Sequence, residues 1–400
     1  MNKFYQVNIH SFNQITHPVH HSLIEKMKYY IIAGERSGDL HGSNLIKGIR
    51  KHDPDADIRA WGGEMMQSAG SEIVKDYRDL AFMGFFEVIK NLPTILGFLT
   101  FCKKDMLKFK PDVVILIDYA GFNMRVAKFA KQSGIKTFYY ISPKVWAWNQ
   151  SRALKIKAFV DKMFVIFPFE KAFFKKFDYE VEYVGNPLFD AIADFTPQEN
   201  FRKEARLGQK PIIALLPGSR KQEVETMLPL MMSQVYEFPD YQFVIGAVSN
   251  LPKELYARWQ SIFPVKLVMD DAYNLLSVAD AALVTSGTAT LETALFDVPQ
   301  VVCYRGGWAA YQVYKRVIRV PFVSLVNLIA GREVVKELLQ YNLTKENLTE
   351  ELAKITINPE TRKAQLEGYT EIKNILGEAG ASERAGELMV LAIKMGKGKG

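Results

Sequence analysis

The sequence predicts an alternating α/β chain of two domains, each built on a parallel sheet. Three observations carry this. Short unbroken apolar runs recur, among them Val113-Val114-Ile115-Leu116-Ile117 and Ile212-Ile213-Ala214-Leu215-Leu216. Runs of that length without polar alternation are strands buried on both faces, as in parallel sheets. Each run ends in a Gly, Ser or Asp turn, and a segment of helical periodicity follows. Finally, 400 residues exceed what one core usually serves.

Composition narrows the function. Hydrophobic residues make up 48% of the chain, as in a globular protein, and no run reaches the roughly twenty apolar residues of a spanning helix. Cys102 and Cys303 alone supply neither a disulfide framework nor a metal set, which suits a reducing compartment. Four of the six histidines fall in the first 21 residues, leaving only His41 and His52 for the body. The formal charge of +7 permits affinity for nucleic acid, an anionic membrane surface or phosphorylated substrates, but no nucleic-acid module is recognisable.

Residues 1–28 are polar and lack a secretory apolar core; either Met27 is the functional start or the segment is a loose extension. Tyr29–Ala33 is a strand that enters the Gly-rich stretch 34–42, with a helix expected over about 40–50. Gly34 and Gly38 read as a tight turn that lets a ligand approach the backbone. Glu35, Ser37 and Asp39 stand at the C-terminal end of that strand, where open α/β sheets bind ligands; for Asp39 a helix N-cap is an equal alternative.

Residues 80–101 are strongly apolar and aromatic, interrupted by Glu87, Lys90, Asn91 and Pro93. Core helices and an exposed, membrane- or acyl-facing wall both fit; Lys103, Lys104, Lys108 and Lys110 suit an anionic surface. Val113–Ile117 ends at Asp118. A carboxylate there is either a turn residue or a general base. Trp146 and Trp148, around one Ala, are either a sugar or lipid platform or packing.

The second half opens with Ile212–Leu216, then Pro217-Gly218-Ser219-Arg220 and a helix: a βα turn whose N–H groups and Arg220 would receive a phosphate, or an ordinary turn with a solvated Arg. Ala281–Thr285 leads into Ser286-Gly287-Thr288, a second anion cradle at a helix start. Glu292, one turn further, either balances the helix dipole or reaches a ribose diol. Helices are expected at about 331–340, 347–356, 360–377 and 382–395. The domains are therefore 1–28 as extension, 29–190, a linker 191–208, 209–379, and a terminal helix and tail 380–400. No G-x-S-x-G, G-x-G-x-x-G or paired C-x-x-C occurs, which disfavours serine hydrolase, dinucleotide and zinc chemistry.

The segments AGERSGDLHG (33–42), LAFMGFFEV (80–88), KPDVVILIDYAGFN (110–123), SPKVWAW (142–148), LLPGSRKQEVE (215–225), SGTATLE (286–292) and VSLVNLIAGREVVKELLQ (323–340), in this order, resemble the lipid-A-disaccharide synthase family. These are bacterial glycosyltransferases of the GT-B class, in which two Rossmann-like domains with parallel sheets face a central cleft. The resemblance implies transfer from UDP-2,3-diacylglucosamine to the 6-hydroxyl of 2,3-diacylglucosamine 1-phosphate (lipid X). It implies inversion to a β-1,6 disaccharide with release of UDP, peripheral work on the cytoplasmic face of the inner membrane, and neither cofactor nor metal. A monomer or a homodimer with exchanged C-terminal segments is expected, with residues 380–395 packed on the first domain of one chain or the other.

By the same resemblance Asp118 deprotonates the acceptor, Glu35 and Ser37 orient sugar, acceptor or Asp118, and Arg220 neutralises the leaving diphosphate. Ser286, Gly287 and Thr288 take diphosphate oxygens, Glu292 the ribose, Tyr304 the uracil through its backbone, and Asn327 lines the nucleotide pocket. Arg36, Asn186, Val326 and the stretch 305–308 depart from the family pattern. The competing readings are another UDP-sugar enzyme of the same class, an epimerase or soluble-acceptor transferase, and a non-catalytic nucleotide or membrane binder.

Overall fold

The computed structural model describes residues 26–80, 92–306 and 320–397. Most of the expected N-terminal extension, the segment 81–91, residues 307–308 and the last residues of the tail lie outside them. The strands of the first sheet are β1 (Lys28–Ala33), β2 (Asp57–Gly62), β3 (Glu72–Asp76), β4 (Val113–Ile117), β5 (Lys136–Tyr140), β6 (Lys162–Val165) and β7 (Glu182–Tyr183), in the order β3-β2-β1-β4-β5-β6-β7. The second sheet has β8 (Ile212–Leu216), β9 (Gln242–Ala247), β10 (Lys266–Met269), β11 (Ala281–Thr285), β12 (Gln300–Tyr304) and β13 (Lys336–Leu339), in the order β10-β9-β8-β11-β12-β13. Every pairing is parallel. In each sheet the order reverses beside the first strand, at β1/β4 and at β8/β11, and a crevice opens at such a point.

The apolar runs follow from burial on both faces. Tyr30 and Ile32 of β1 join one core with Val114, Leu116 and Tyr139. Tyr29 and Ile31 join the opposite core with Val113, Ile115, Ile117 and Phe138. Side chains alternate across a strand, so a strand covered on both sides has no polar position to spare.

Several boundaries differ from expectation. The first helix runs Arg36–His52, so Ser37, Gly38 and Asp39 are helical and not part of a loop. A Cβ on Gly38 would lie 3.0 Å from the Cβ of Ala33, so this glycine serves helix-to-strand packing. The helix after β4 begins at Ala120. Within the stretch expected to be helical at 331–340, Lys336–Leu339 is instead the edge strand β13, paired with β12. An edge strand is covered on fewer sides and tolerates Lys336 and Glu337, so it carries no apolar run.

The terminal helix Ala381–Lys397 leaves the second domain and packs on the first domain of its own chain, against Arg36–His52. Three backbone N–H groups at its start, from Gly380, Ala381 and Ser382, donate to the Asp190 carboxylate at 2.6–3.1 Å. Arg384 Nε donates to the Val184 carbonyl at 2.9 Å. Its approach to the first helix is backbone to backbone: a Cβ on Gly386 would lie 2.5 Å from the Gly48 carbonyl carbon, and one on Gly48 would lie 2.6 Å from the Ser382 carbonyl oxygen. Gly386→Ala should therefore destabilise the protein by about 1–3 kcal/mol through overpacking, although alanine is the better helix former by about 1 kcal/mol. A denaturation midpoint at or above that of the parent would refute this packing.

Candidate active site

A cleft of about 1400 Å³ lies between the C-terminal edges of the two sheets. Its walls hold eight of the ten residues singled out from the sequence: Glu35, Ser37 and Asp118 from the first domain, and Arg220, Ser286, Gly287, Thr288 and Glu292 from the second.

On the first wall, Asp118 closes β4 in a left-handed conformation, φ 42°, and Tyr119 follows at φ 46°. Non-glycine residues rarely hold this conformation, and here the surroundings enforce it. The Asp118 N–H donates to the Tyr140 carbonyl at 3.2 Å. Its own carbonyl accepts from Asn123 Nδ2 at 2.8 Å and from the Tyr139 hydroxyl. The side chain is thereby turned into the cleft. The cleft walls strip water from it and push its pKa up, while the Lys144 ammonium and the Tyr119 N–H oppose the rise. Glu35 caps the Arg36–His52 helix through its backbone. Its pKa is raised by burial and by the Asp118 carboxylate, and held back by Arg220 and Lys144. Two carboxylates and two cations thus share one end of the cleft.

Asp39 serves neither as a ligand nor as a cap of its own helix. Its carboxylate accepts from the N–H groups of Gly63, Met65 and Met66 at 2.7–3.2 Å. It caps the neighbouring helix Glu64–Ser68 and ties the β2 turn to the first helix.

On the second wall the two anion loops differ. Gly218 has φ +106°, the left-handed region that glycine accommodates. This turn brings Glu223 back so that its carboxylate accepts from the N–H groups of Ser219 and Arg220 at 3.1 and 3.2 Å. The donors expected to face a phosphate are therefore occupied within the loop, and the guanidinium of Arg220, 74% exposed and 3.4 Å from Glu223 Oε1, is the loop group that lines the cleft with charge to offer an anion. The helix Thr288–Leu295 has no side-chain cap. Ser286 Oγ donates to the Val323 carbonyl at 2.9 Å, so the uncapped helix start is the open anion cradle. Glu292 accepts from the Tyr273 hydroxyl at 3.2 Å, and burial raises its pKa.

Asn327 is corrected. It is fully buried in the helix Leu325–Ala330 and lies outside the cleft lining. Its amide donates to the Val335 carbonyl and Glu337 and accepts from the N–H groups of Val334 and Val335, which ties that helix to β13. Tyr304 ends β12 but is not among the residues lining the cleft. Trp146 is buried and packs edge-on to Phe169 at 5.0 Å, and it borders the cleft without presenting an open ring face to it. Arg36 turns from Glu35 across to Asp270 of the second domain, at 3.5 Å.

Sequence reasoning missed Lys144, Tyr273, His41 and Glu170, which also line the cleft. Lys144 belongs to the SPKVWAW segment, in which only the tryptophans carry a chemical signal of their own. Burial holds His41 down to about 4, so it is neutral near pH 7. Among the described residues no three His, Cys, Asp or Glu side chains are grouped to hold a metal ion.

A family model described as lipid-A-disaccharide synthetase matches residues 29–390. A lipid-A-disaccharide synthase of Myxococcus xanthus is 37% identical over 375 residues, covering 92% of this chain and 98% of that protein. One from Syntrophus aciditrophicus is 38% identical over 373 residues, covering 91% and 97%. Among solved structures, the UDP-GlcNAc 2-epimerase of Neisseria meningitidis bound to UDP-GlcNAc aligns with TM-score 0.65 at 15% identity, covering 91% of this chain and all of that one. The glycotransferase of kitacinnamycin aligns at 0.61 and 12%, covering 92% and 99%. These two share the fold.

Glu170 underlies the loop that carries Lys144. Its carboxylate accepts from Ile166 and Phe167 N–H at 3.2 and 3.0 Å, and burial, the largest influence, pushes its pKa from 4.5 up to about 7. A folded value above the unfolded one means that its contribution to stability is full below about 4.5 and is lost as pH rises through about 7. Glu170→Gln should flatten the fall in denaturation midpoint that the parent shows between about pH 4.5 and 7 and that levels off above about 7. Parallel pH dependences in parent and variant would refute it.

Proposed function

The chain belongs to the lipid-A-disaccharide synthetase family, and from that premise we infer that it is the glycosyltransferase that joins a UDP-sugar donor to a lipid X-type acceptor in lipid A synthesis. The observation that carries the reaction is the division of charge across the cleft. A carboxylate pair lies on the first wall, and an uncapped helix start with the exposed Arg220 guanidinium, paired loosely with Glu223 at 3.4 Å, lies on the second. An α-linked donor giving a β product requires one in-line displacement. The acceptor oxygen forms its bond to C1 as the bond from C1 to the diphosphate breaks. The diphosphate keeps the electron pair, and the hydroxyl proton passes to a base.

Asp118 is that base. Its rigid backbone aims it, and its raised pKa makes it a stronger base than an exposed Asp. Arg220 and the helix start at Thr288 face the leaving diphosphate, where a donor aimed at developing charge is worth about 3–4 kcal/mol. Glu292, oriented by Tyr273, suits a ribose diol. Glu35 and Ser37 sit beside Asp118 on the acceptor side. With these cations in place the reading needs no metal, so chelator should leave turnover unchanged.

The lipid chains suit the helix Leu92–Phe109. Ile95 and Phe98 line the cleft, while Leu96, Phe101 and Leu107 are exposed beside Lys103, Lys104 and Lys108. This pattern supports peripheral contact with an anionic membrane face. No helix among the described residues is long and apolar enough to cross a membrane.

The test is transfer between UDP-2,3-diacylglucosamine and lipid X in detergent, with mass analysis of the product. Asp118→Asn should fold, bind UDP and lose about 100- to 10,000-fold in kcat. Full turnover by the variant would overturn the assignment of the base. Equal turnover of unacylated UDP-N-acetylglucosamine would overturn the substrate reading.

A further inference from the structure

The Glu35–Asp118 pair poses a problem that the reaction must solve. A general base must be ionised, yet burial disfavours charge on both groups, and the Asp118 carboxylate disfavours it further on Glu35. Arg220 contributes a compensating charge to Glu35, but its guanidinium faces the donor diphosphate, whose own negative charge will claim it. The first domain needs a cation of its own.

Lys144 stands in that position. It follows β5 by four residues, and its loop is anchored from below. Ile141 N–H donates to the Phe164 carbonyl at 3.1 Å, Ser142 Oγ to the Pro143 carbonyl at 2.9 Å, and Trp146 is wedged on Phe169. Its side chain is exposed to the cleft that Glu35 and Asp118 line. Around Asp118 stand Glu35 from the end of β1, Tyr119 from its own turn, Tyr139 of β5, whose hydroxyl donates to the Asp118 carbonyl, and Lys144. Arg36, Lys47 and Arg125 also line the cleft from the first domain, but Lys144 is the first-domain cation whose charge acts on both Asp118 and Glu35.

We propose that Lys144 is a positioning residue for the transfer, one whose ammonium keeps Asp118 ionised beside Glu35 after the donor has engaged Arg220. The proposal rests on the reading of Asp118 as base. The proton still passes from the acceptor hydroxyl to Asp118, and Lys144 neither gains nor loses one.

The experiment compares the pH dependence of kcat and KM for disaccharide formation in the parent, Lys144→Met, Lys144→Arg and Asp118→Asn proteins. Removing the cation lets the Asp118 pKa rise, so the acid limb moves to higher pH. A move of one unit gives Lys144→Met about tenfold lower kcat on the acid side, converging on the parent at alkaline pH. KM for both substrates should stay within about twofold, and Lys144→Arg should restore the limb. UDP titration calorimetry reports on folding, with Lys144→Gln as the substitute where Met disturbs it. An unmoved acid limb with Asp118→Asn inactive would overturn this proposal alone. So would a loss uniform in pH with a raised acceptor KM, which would make Lys144 a ligand of the acceptor phosphate. Activity in Asp118→Asn would instead overturn the reading beneath it.

Discussion

In a parallel sheet every strand delivers its C-terminal end to the same edge, and both sheets here are parallel throughout. That polarity is the constraint on which the site depends. It places Glu35 and Asp118, from β1 and β4, side by side where the first sheet reverses its order. It places Arg220 and Ser286–Thr288, from β8 and β11, at the matching point of the second. Residues 83 positions apart in the first case, and 66 in the second, become neighbours through topology. The crevice needs only loops, because the strands have already converged.

The loops then assign charges by deciding which polar groups are spent internally. Asp39 is consumed by three N–H groups of the next helix, and Glu223 by two of its own loop. Asp118 has its backbone, but not its carboxylate, tied down. A carboxylate already accepting several N–H bonds has its oxygens engaged within the fold and is not free to meet a substrate hydroxyl. One held in place by its carbonyl keeps its proton affinity for substrate. The three acidic groups differ in this respect.

This explains what was legible beforehand. The runs Val113–Ile117 and Ile212–Leu216 announced central strands because two-sided burial leaves them no polar position. The loops after them could be located for the same reason. Asp118, Arg220 and Glu292 were found by their place at strand ends and helix starts, together with the family resemblance. Asn327 was misplaced because its polarity pointed to a ligand, whereas it satisfies buried backbone groups between a helix and β13. Strand β13 was missed because an edge strand needs no apolar signature. Lys144 was passed over because a lone lysine in a loop has no local mark. Its meaning comes from Asp118 and Glu35, brought to it by the fold.

The terminal helix has a mechanical consequence. Among the described residues the chain crosses between domains twice, first through 184–208 and again at 376–380, and the crossings are bound together. The Tyr183 hydroxyl donates to the Leu376 carbonyl at 2.6 Å, and Asp190 holds Gly380. Gly377 and Gly380 both take positive φ there. Two adjacent crossings define a hinge line along one side of the cleft. A rotation of the domains about that line would leave both crossings bound, whereas a sliding motion would break them, and the Arg36–Asp270 pair is a further contact between the domains.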